Sequence, residues 1–135
     1  MQIRVYYEDT DCGNVVYYAN YLRFMERSRT ELLRERGIEL TDYLKRGILF
    51  VVTEAHAFYR SPAKYNDLLE VESTVDNITA GSMIFHTVMR RSGEETVLVK
   101  GEVRVACVNE AGRPVRIPEE VRRNLSVAKD NDIKK

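Results

Sequence analysis

The fold is decided by residues 6–21, which read YYEDTDCGNVVYYANY and join a strand to a long helix. Before this stretch, Ile3 and Val5 alternate with polar residues, which predicts a β-strand. After it, apolar residues recur at helical spacing as far as Arg36, and Gly37 supplies a C-terminal stop. The residues between the two elements include Asp, Gly and Asn, which tolerate the backbone angles of a tight turn.

This turn can also do chemistry. It should hold Asp9 and Asp11 just upstream of a helix N-terminus, which offers unpaired backbone N–H groups and the positive end of a dipole. A carboxylate there can act as a general base toward water or as a nucleophile, and the N–H groups can stabilise an oxyanion. The alternative is that both acids only form the turn and cap the helix, since such turns are common. Spacing alone leaves both interpretations open.

At these residues the sequence resembles a known family. The segments YEDTD (7–11), VVY (15–17) and NYLRF (20–24) are similar to the signature of the 4-hydroxybenzoyl-CoA thioesterase family. Within that family the chain resembles the branch of bacterial acyl-CoA thioesterases associated with the Tol–Pal system. The resemblance extends from Ile3 to the region of Pro118. It implies a hot-dog fold, Asp11 as the catalytic carboxylate, and the Tyr18 backbone N–H as the donor that polarises the thioester carbonyl.

The sequence departs from the family pattern at three places. Asn14 stands where the family usually has Gly, and Asn can adopt the same positive φ. Tyr18 stands where the close branch often has His, which leaves a backbone donor unchanged. The turn at 79–82 carries no basic residue, although the family's best-known coenzyme A contacts include basic residues there. Ser82 and nearby backbone N–H groups are the remaining candidates for that contact.

The rest of the chain predicts consecutive antiparallel strands separated by polar turns. The strands are expected at 48–59, 68–78, 83–91 and 96–109, with short helices near Thr41 and Pro118. Strands joined by short turns form a meander, and the one long helix needs a sheet to bury its apolar face. We therefore predict an α+β hot-dog fold, an antiparallel sheet wrapped around one long helix. A single domain is expected over residues 1–125, followed by a polar tail over 126–135.

Composition narrows the class of protein. The chain has 21 Lys and Arg against 21 Asp and Glu, so no long-range field favours nucleic acid or an anionic membrane. The start of the chain shows no apolar targeting segment, and no apolar run is long enough to span a bilayer. We expect a cytoplasmic protein without membrane insertion. Cys12 and Cys107 show no disulfide or metal-ligand spacing, and no cofactor or metal is expected.

The apolar pattern of one strand predicts self-association. In the segment 83–89, Met83 and Phe85 point to one face while Ile84 and Val88 point to the other. One helix cannot cover both faces of a sheet, so a homo-oligomer is expected, a dimer or a homotetramer. In the family that the chain resembles, dimers pair helix beside helix and sheet edge to edge.

Several further residues are candidates for binding. Tyr17 and Asn20 could shape the site beside Tyr18, and Arg60 and Lys64 could contact coenzyme A phosphates or only keep a loop soluble. His56, two residues after Glu54, could form an acid–base pair or a structural hydrogen bond. The second interpretation is favoured because no nucleophile lies in register. His86 is expected to be structural or at an interface.

These observations predict an acyl-CoA thioesterase in which Asp11 acts as general base or nucleophile. The carrier of the acyl group, coenzyme A or an acyl carrier protein, stays open. One alternative is a hot-dog hydratase or dehydratase. The absence of His from the long helix argues against it. The other is a non-catalytic module that binds acyl thioesters. Release of free thiol distinguishes the acyl-CoA thioesterase from both alternatives.

Overall fold

The computed structural model describes the backbone of residues 1–133 and the side chains of residues 1–126. One antiparallel sheet and three helices make up the regular structure. The strands are β1 (Gln2–Arg4), β2 (Leu49–Tyr59), β3 (Leu68–Asp76), β4 (Met83–Arg91), β5 (Val97–Val108) and β6 (Pro114–Val115). The helices are α1 (Asn20–Glu35), α2 (Leu40–Lys45) and α3 (Glu119–Ile133), and a 3-10 turn covers Tyr7–Asp9. The predicted hot-dog architecture is confirmed.

The strand order is β1-β3-β4-β5-β2, with β6 paired to the end of β5. Consecutive strands β3, β4 and β5 form the predicted meander through turns near Gly81 and Gly93. Strand β2 precedes them in the chain but joins the sheet beside β5, at one edge. The other edge is the short β1, which places residues 6–21 at the end of the sheet where β3 begins.

Helix α1 lies across the inner face of the sheet, mainly against β3 and β4. Its apolar residues are buried at the predicted spacing: Tyr21, Phe24, Met25, Leu32 and Leu33. The helix can approach closely because Gly101 has no side chain; a Cβ there would lie 2.3 Å from the Met25 methyl group. The helix ends as predicted, since Gly37 has a φ of +78° that residues with a Cβ rarely adopt.

Three elements differ from the prediction. Strand β1 ends at Arg4, because the backbone turns into the 3-10 segment at Tyr7 instead of continuing the ladder. The two-residue β6 lacks the alternation that marks a strand, and its pairing with β5 forms only in the folded chain. Helix α3 continues beyond the predicted boundary at Ser126, to Ile133. Lys134 and Lys135, the end of the predicted tail, lie outside the described residues.

One helix leaves much of the sheet uncovered. Ile84 and Val88 lie on the outer face and are half-buried, as their alternation with the buried Phe85 and Met89 predicted. On β2, Val52 is 50% exposed and Tyr59 is 49% exposed, although both share the inner face with the core. No helix within residues 1–133 is long and apolar enough to cross a bilayer.

Candidate active site

The site is built on a small hairpin that precedes α1. The Tyr17 N–H donates to the Asp9 carbonyl at 2.9 Å, Thr10 bridges Val16, and the Asp11 N–H donates to the Val15 carbonyl at 2.9 Å. The chain can reverse at the tip because Asn14 adopts a φ of 63°. The predicted positive φ of Asn14 is thereby confirmed, since Asn enters this region more readily than most residues.

Asp11 lies at the tip of this hairpin and is exposed. One carboxylate oxygen accepts a hydrogen bond from the Gly13 N–H at 2.8 Å, and the second meets no donor among the described residues. Gly13 leaves room for the bonded oxygen, because a Cβ at position 13 would lie only 3.2 Å from it. The turn therefore fixes the carboxylate by one oxygen and leaves the other available to a ligand.

The start of α1 supplies free backbone donors. The backbone is already helical at Ala19, and the first turn closes with a hydrogen bond from the Asn20 N–H to the Tyr17 carbonyl at 2.8 Å. Within the described chain, the N–H groups of Tyr18 and Ala19 meet no acceptor. Such groups carry the positive end of the helix dipole and suit a developing oxyanion. The Tyr59 hydroxyl donates to the Tyr18 carbonyl at 3.3 Å and steadies this turn.

Asp9 and Asn20 lie beneath the hairpin and are both 8% exposed. One Asp9 oxygen accepts from the Tyr6 N–H at 2.8 Å, and the other accepts from the Asn20 side-chain amide at 2.7 Å. The two predicted acids therefore differ in environment, Asp9 buried and fully bonded, Asp11 exposed. Asn20, a candidate for shaping the site and binding substrate, turns its amide inward to the buried Asp9.

A pocket of about 220 Å³ opens beside Tyr18. Its walls are Val16, Tyr18, Tyr21, Tyr59, Arg60, Ser61 and Pro62. The rings of Tyr18 and Tyr59 meet edge to face with centroids 6.3 Å apart, and the ring of Tyr17 lies 4.8 Å from that of Tyr18. Arg60 brings a positive charge to this largely aromatic pocket, whereas Tyr17 lies outside its walls.

The loop at residues 60–67 is held against the hairpin by a hydrogen-bond network. The Val16 N–H donates to the Ala63 carbonyl at 2.8 Å, and the Ala63 N–H donates to the Tyr21 hydroxyl at 3.0 Å. Burial raises the pKa of that hydroxyl. The backbone of Lys64 bridges Val15, so both predicted phosphate contacts, Arg60 and Lys64, lie on this loop.

Asp67 and Arg91 fix the same loop from below. One Asp67 oxygen accepts from the Lys64 N–H at 2.8 Å and from the Arg91 guanidinium at 2.9 Å. A second nitrogen of Arg91 donates to the Pro62 carbonyl at 2.9 Å. Strand β4 thus sets the position of a pocket wall that belongs to the loop.

Ser82 lies far from this pocket within one chain. Tyr59 is paired with Val99 near the start of β5, whereas Met83, next to Ser82, is paired with Val105. At about 3.3 Å per residue, the two positions are roughly 20 Å apart. Ser82 donates its N–H to the Thr79 hydroxyl and caps its own turn. The predicted contact of Ser82 with substrate is not made at the pocket of its own chain.

The two histidines lie on the outer face of the sheet, away from the hairpin. His56 is hydrogen bonded to Glu54 at 2.8 Å, and this contact lowers the pKa of the Glu54 carboxyl. His86 contacts Asp76 at 3.3 Å. Glu102 stands between the two histidines in the strand register. The structural or interface role of both side chains stays a prediction.

Comparison with known proteins decides the family. The family model described as the thioesterase-like superfamily matches residues 5–125. The chain belongs to the thioesterase-like superfamily. The acyl-CoA thioesterase YbgC of Haemophilus influenzae is 41% identical over 122 residues, which cover 89% of this chain and 88% of that relative. These findings confirm the prediction of a thioesterase.

Solved thioesterase structures agree with the fold. A probable thioesterase from Bartonella henselae is 34% identical and superposes with a TM-score of 0.81 over 87% of this chain and 97% of its own. The DHNA-CoA thioesterase of Staphylococcus aureus, 21% identical, superposes with a TM-score of 0.91 over 100% of this chain and 93% of its own. The second likeness concerns the fold alone.

Several site residues of this thioesterase escaped the sequence reasoning. Tyr21 was assigned only to the core, and Tyr59 only to a strand, yet both help to line the pocket. Arg91 was given no role, although it anchors the loop. Tyr59, at the end of a predicted strand and next to Arg60, carried the one usable signal. Among the described residues no cluster of three His, Cys, Asp or Glu side chains could hold a metal ion.

Proposed function

We propose that this thioesterase hydrolyses acyl-CoA to the free acid and coenzyme A, with Asp11 and the Tyr18 N–H as its catalytic groups. One observation carries the proposal: a single short hairpin holds an exposed carboxylate and leads directly into a helix start with unpaired N–H groups. This pairing of a base or nucleophile with an oxyanion donor is what acyl transfer requires.

The chemistry follows from these two groups. The thioester carbonyl oxygen accepts a hydrogen bond from the Tyr18 N–H, which stabilises the negative charge that develops on it. Asp11 either takes a proton from the attacking water or attacks the carbonyl carbon itself to form an anhydride that water then opens. In both routes the carbon–sulfur bond breaks, the thiolate leaves, and water supplies the hydroxyl of the acid.

The arrangement of charge supports a phosphate-bearing carrier. Arg60 lies at the pocket wall and Lys64 on the same anchored loop, and such cations bind phosphate through charge-assisted hydrogen bonds. Both coenzyme A and the phosphopantetheine arm of a carrier protein bear phosphate. Coenzyme A is the carrier we propose, since the YbgC relative is an acyl-CoA thioesterase.

A second copy of the chain completes the site in this proposal. Strand β2 is an edge strand with half-exposed apolar residues, a form that invites pairing with another strand. Antiparallel pairing of β2 with its symmetry mate sets the start of one strand beside the end of the other. Tyr59 of one chain would then adjoin an apolar cavity of about 200 Å³ in its partner, lined by Leu40, Thr41, Leu44, Ile48, Leu49 and Phe50.

Together, the aromatic pocket and this cavity would accommodate an apolar acyl group. A neighbouring chain would also exclude water from Asp11, so that the N–H groups act in a lower dielectric. The predicted cytoplasmic location and the step from dimer to tetramer stay predictions.

The test is a panel of coenzyme A thioesters with straight-chain and aromatic acyl groups. Loss of the thioester ultraviolet absorbance and release of free thiol should appear together in one or more members, and Asp11→Asn should slow both by about two to four orders of magnitude. A hydratase would change the acyl group without releasing thiol, and a binding module would show neither signal. To identify the carrier, hydrolysis of the same acyl groups is compared between coenzyme A and an acyl carrier protein.

A further inference from the structure

The buried carboxylate of Asp9 joins three segments around the site. Its side chain accepts from the Tyr6 N–H and from the Asn20 amide, and its own carbonyl accepts from the Tyr17 N–H at 2.9 Å. Asp9 therefore ties together the chain that enters the hairpin, the chain that leaves it and the first residue of α1. Both polar partners are buried, so the Asp9–Asn20 bond does not compete with bulk water.

The two proposed catalytic groups lie close to Asp9 and Asn20 along the chain. Asp11 follows Asp9 by two residues along one arm, and Tyr18 precedes Asn20 by two residues along the other. The tip that carries Asp11 is exposed throughout residues 11–14, so packing does little to hold it. In the part of the chain that the structure describes, the Asp9–Asn20 contact is the one side-chain hydrogen bond from the hairpin to α1.

We propose that Asp9 and Asn20 are a pair of positioning residues that set the distance between the Asp11 carboxylate and the Tyr18 N–H. The inference rests on the proposed function, because it concerns the same two groups. A displacement of about 1 Å between reacting groups can cost roughly 10²-fold in rate. Loss of the pair therefore lowers kcat more than it changes KM, because Arg91 still anchors the loop that carries Arg60 through Asp67 and Pro62.

The hydrogen-bond geometry provides an exchange test. Asn20→Asp places a second carboxylate within hydrogen-bond distance of the buried Asp9, where two like charges repel. Adding Asp9→Asn restores a complementary pair, since the new amide at position 9 can accept from the Tyr6 N–H and donate to the new carboxylate at position 20. Asp9→Asn alone is mild, because the Asn20 amide can turn its oxygen toward the new donor.

We expect Asn20→Asp to lower kcat on the best acyl-CoA of the panel by about 10²-fold, with KM within about threefold of the parent. The double variant should return kcat to within about fivefold of the parent. Glu35→Gln, at the exposed far end of α1, is the matched control and should keep the parental kcat. A merely structural role would lower the amount of folded enzyme but not the kcat of the folded fraction, which circular dichroism and active-site titration separate.

Two results would contradict the proposal that Asp9 and Asn20 position the catalytic groups. One is parental kcat in a folded Asn20→Asp variant; the other is a folded double variant that stays as slow as Asn20→Asp. If Asn20→Asp does not fold, Asn20→Ala takes its place, with an expected loss in kcat of about tenfold and parental kcat as the contrary result. Asp11→Asn is measured in parallel: if it keeps parental turnover, the proposed function fails on its own, whatever the pair does.

Discussion

Two acids of the same type, two residues apart, lie in different surroundings. Asp9 is buried and both its oxygens accept hydrogen bonds, whereas Asp11 is exposed and uses one oxygen in a turn. We predict that Asp11→Asn keeps the fold and lowers turnover by about two to four orders of magnitude, the usual contribution of a general base. Steady-state hydrolysis of acyl-CoA measures it.

The matched control for that variant is Asp9→Asn, which should cost much less. Parental turnover in Asp11→Asn would show that the proposed mechanism is wrong. A deeper loss in Asp9→Asn than in Asp11→Asn, in folded protein, would exchange the roles of the two acids.

The contribution of Tyr18 is expected to come from its backbone. Its side chain is 61% exposed and its ring only lines the pocket, while its N–H is the unpaired donor. Tyr18→Phe should therefore keep most of the parental kcat, because the N–H and the ring both remain. A loss as deep as that of Asp11→Asn would show that the hydroxyl takes part in the reaction.

The two cysteines differ in reactivity for a physical reason. Cys107 is 1% exposed, and burial raises the pKa of its thiol to about 11, whereas Cys12 is exposed beside Asp11. Because the thiolate is the reactive form, a disulfide reagent at pH 8 should titrate one thiol in the native protein and two after unfolding. Cys12→Ser should leave none in the native protein. Rapid reaction of Cys107 in that folded variant would contradict the prediction.

At the scale of elements, the loop at 60–67 depends on a strand that is distant in sequence. Asp67 receives hydrogen bonds from Lys64 and Arg91, and both partners of the Asp67–Arg91 ion pair are largely buried. We predict that Asp67→Ala raises KM for acyl-CoA several-fold with a smaller effect on kcat, because the loop carries Arg60 and Lys64. Its free energy of unfolding should fall by about 1–3 kcal/mol, since Arg91 loses its partner.

The control for Asp67 is Glu94→Ala, which removes an exposed acid in the turn between β4 and β5. Steady-state kinetics and urea unfolding of both variants compare the loop with an ordinary surface site. An unchanged KM in Asp67→Ala would mean that the loop does not hold the carrier.

At the scale of the whole molecule, the exposed apolar residues and the unpaired edge of β2 favour association with a second chain. Val52 is 50% exposed on the face that is otherwise core, and β2 offers an unpaired edge. We predict a homodimer at least, and that Val52→Arg shifts it to monomers with a large loss of kcat, because a charge cannot be buried there without a partner. Light scattering at micromolar concentration measures the mass.

Thr74→Arg, on the outer face of β3, places the same charge on an exposed strand position and should keep the dimer. A stable monomer with full activity, in the parent or in Val52→Arg, would contradict the shared site. Separation of a tetramer into active dimers by Thr74→Arg would assign the outer face to the second interface.

Local patterns were enough for much of the fold. The spacing of Phe24, Met25 and Leu32 marked one buried helix face, and the bounds of β4 follow from its alternation. The prediction failed where the structure follows neither helical nor strand periodicity. The alternation predicted a strand that continued to Tyr7, but the Asp9 carboxylate accepts a hydrogen bond from the Tyr6 N–H in a 3-10 turn, and no alternation encodes such a bond.

The sequence by itself determined the motif, the family and the two groups that we propose react with a thioester, because those features depend on residues adjacent in the chain. Only the tertiary structure decided which side chains surround them. Tyr59 reaches the Tyr18 carbonyl from a strand 41 positions away, and Arg91 reaches Pro62 across 29 positions. Such contacts arise from strand register and helix packing, which bring distant positions together without leaving a local pattern. For the same reason the sequence did not show that the Asn20 amide turns inward to the buried Asp9.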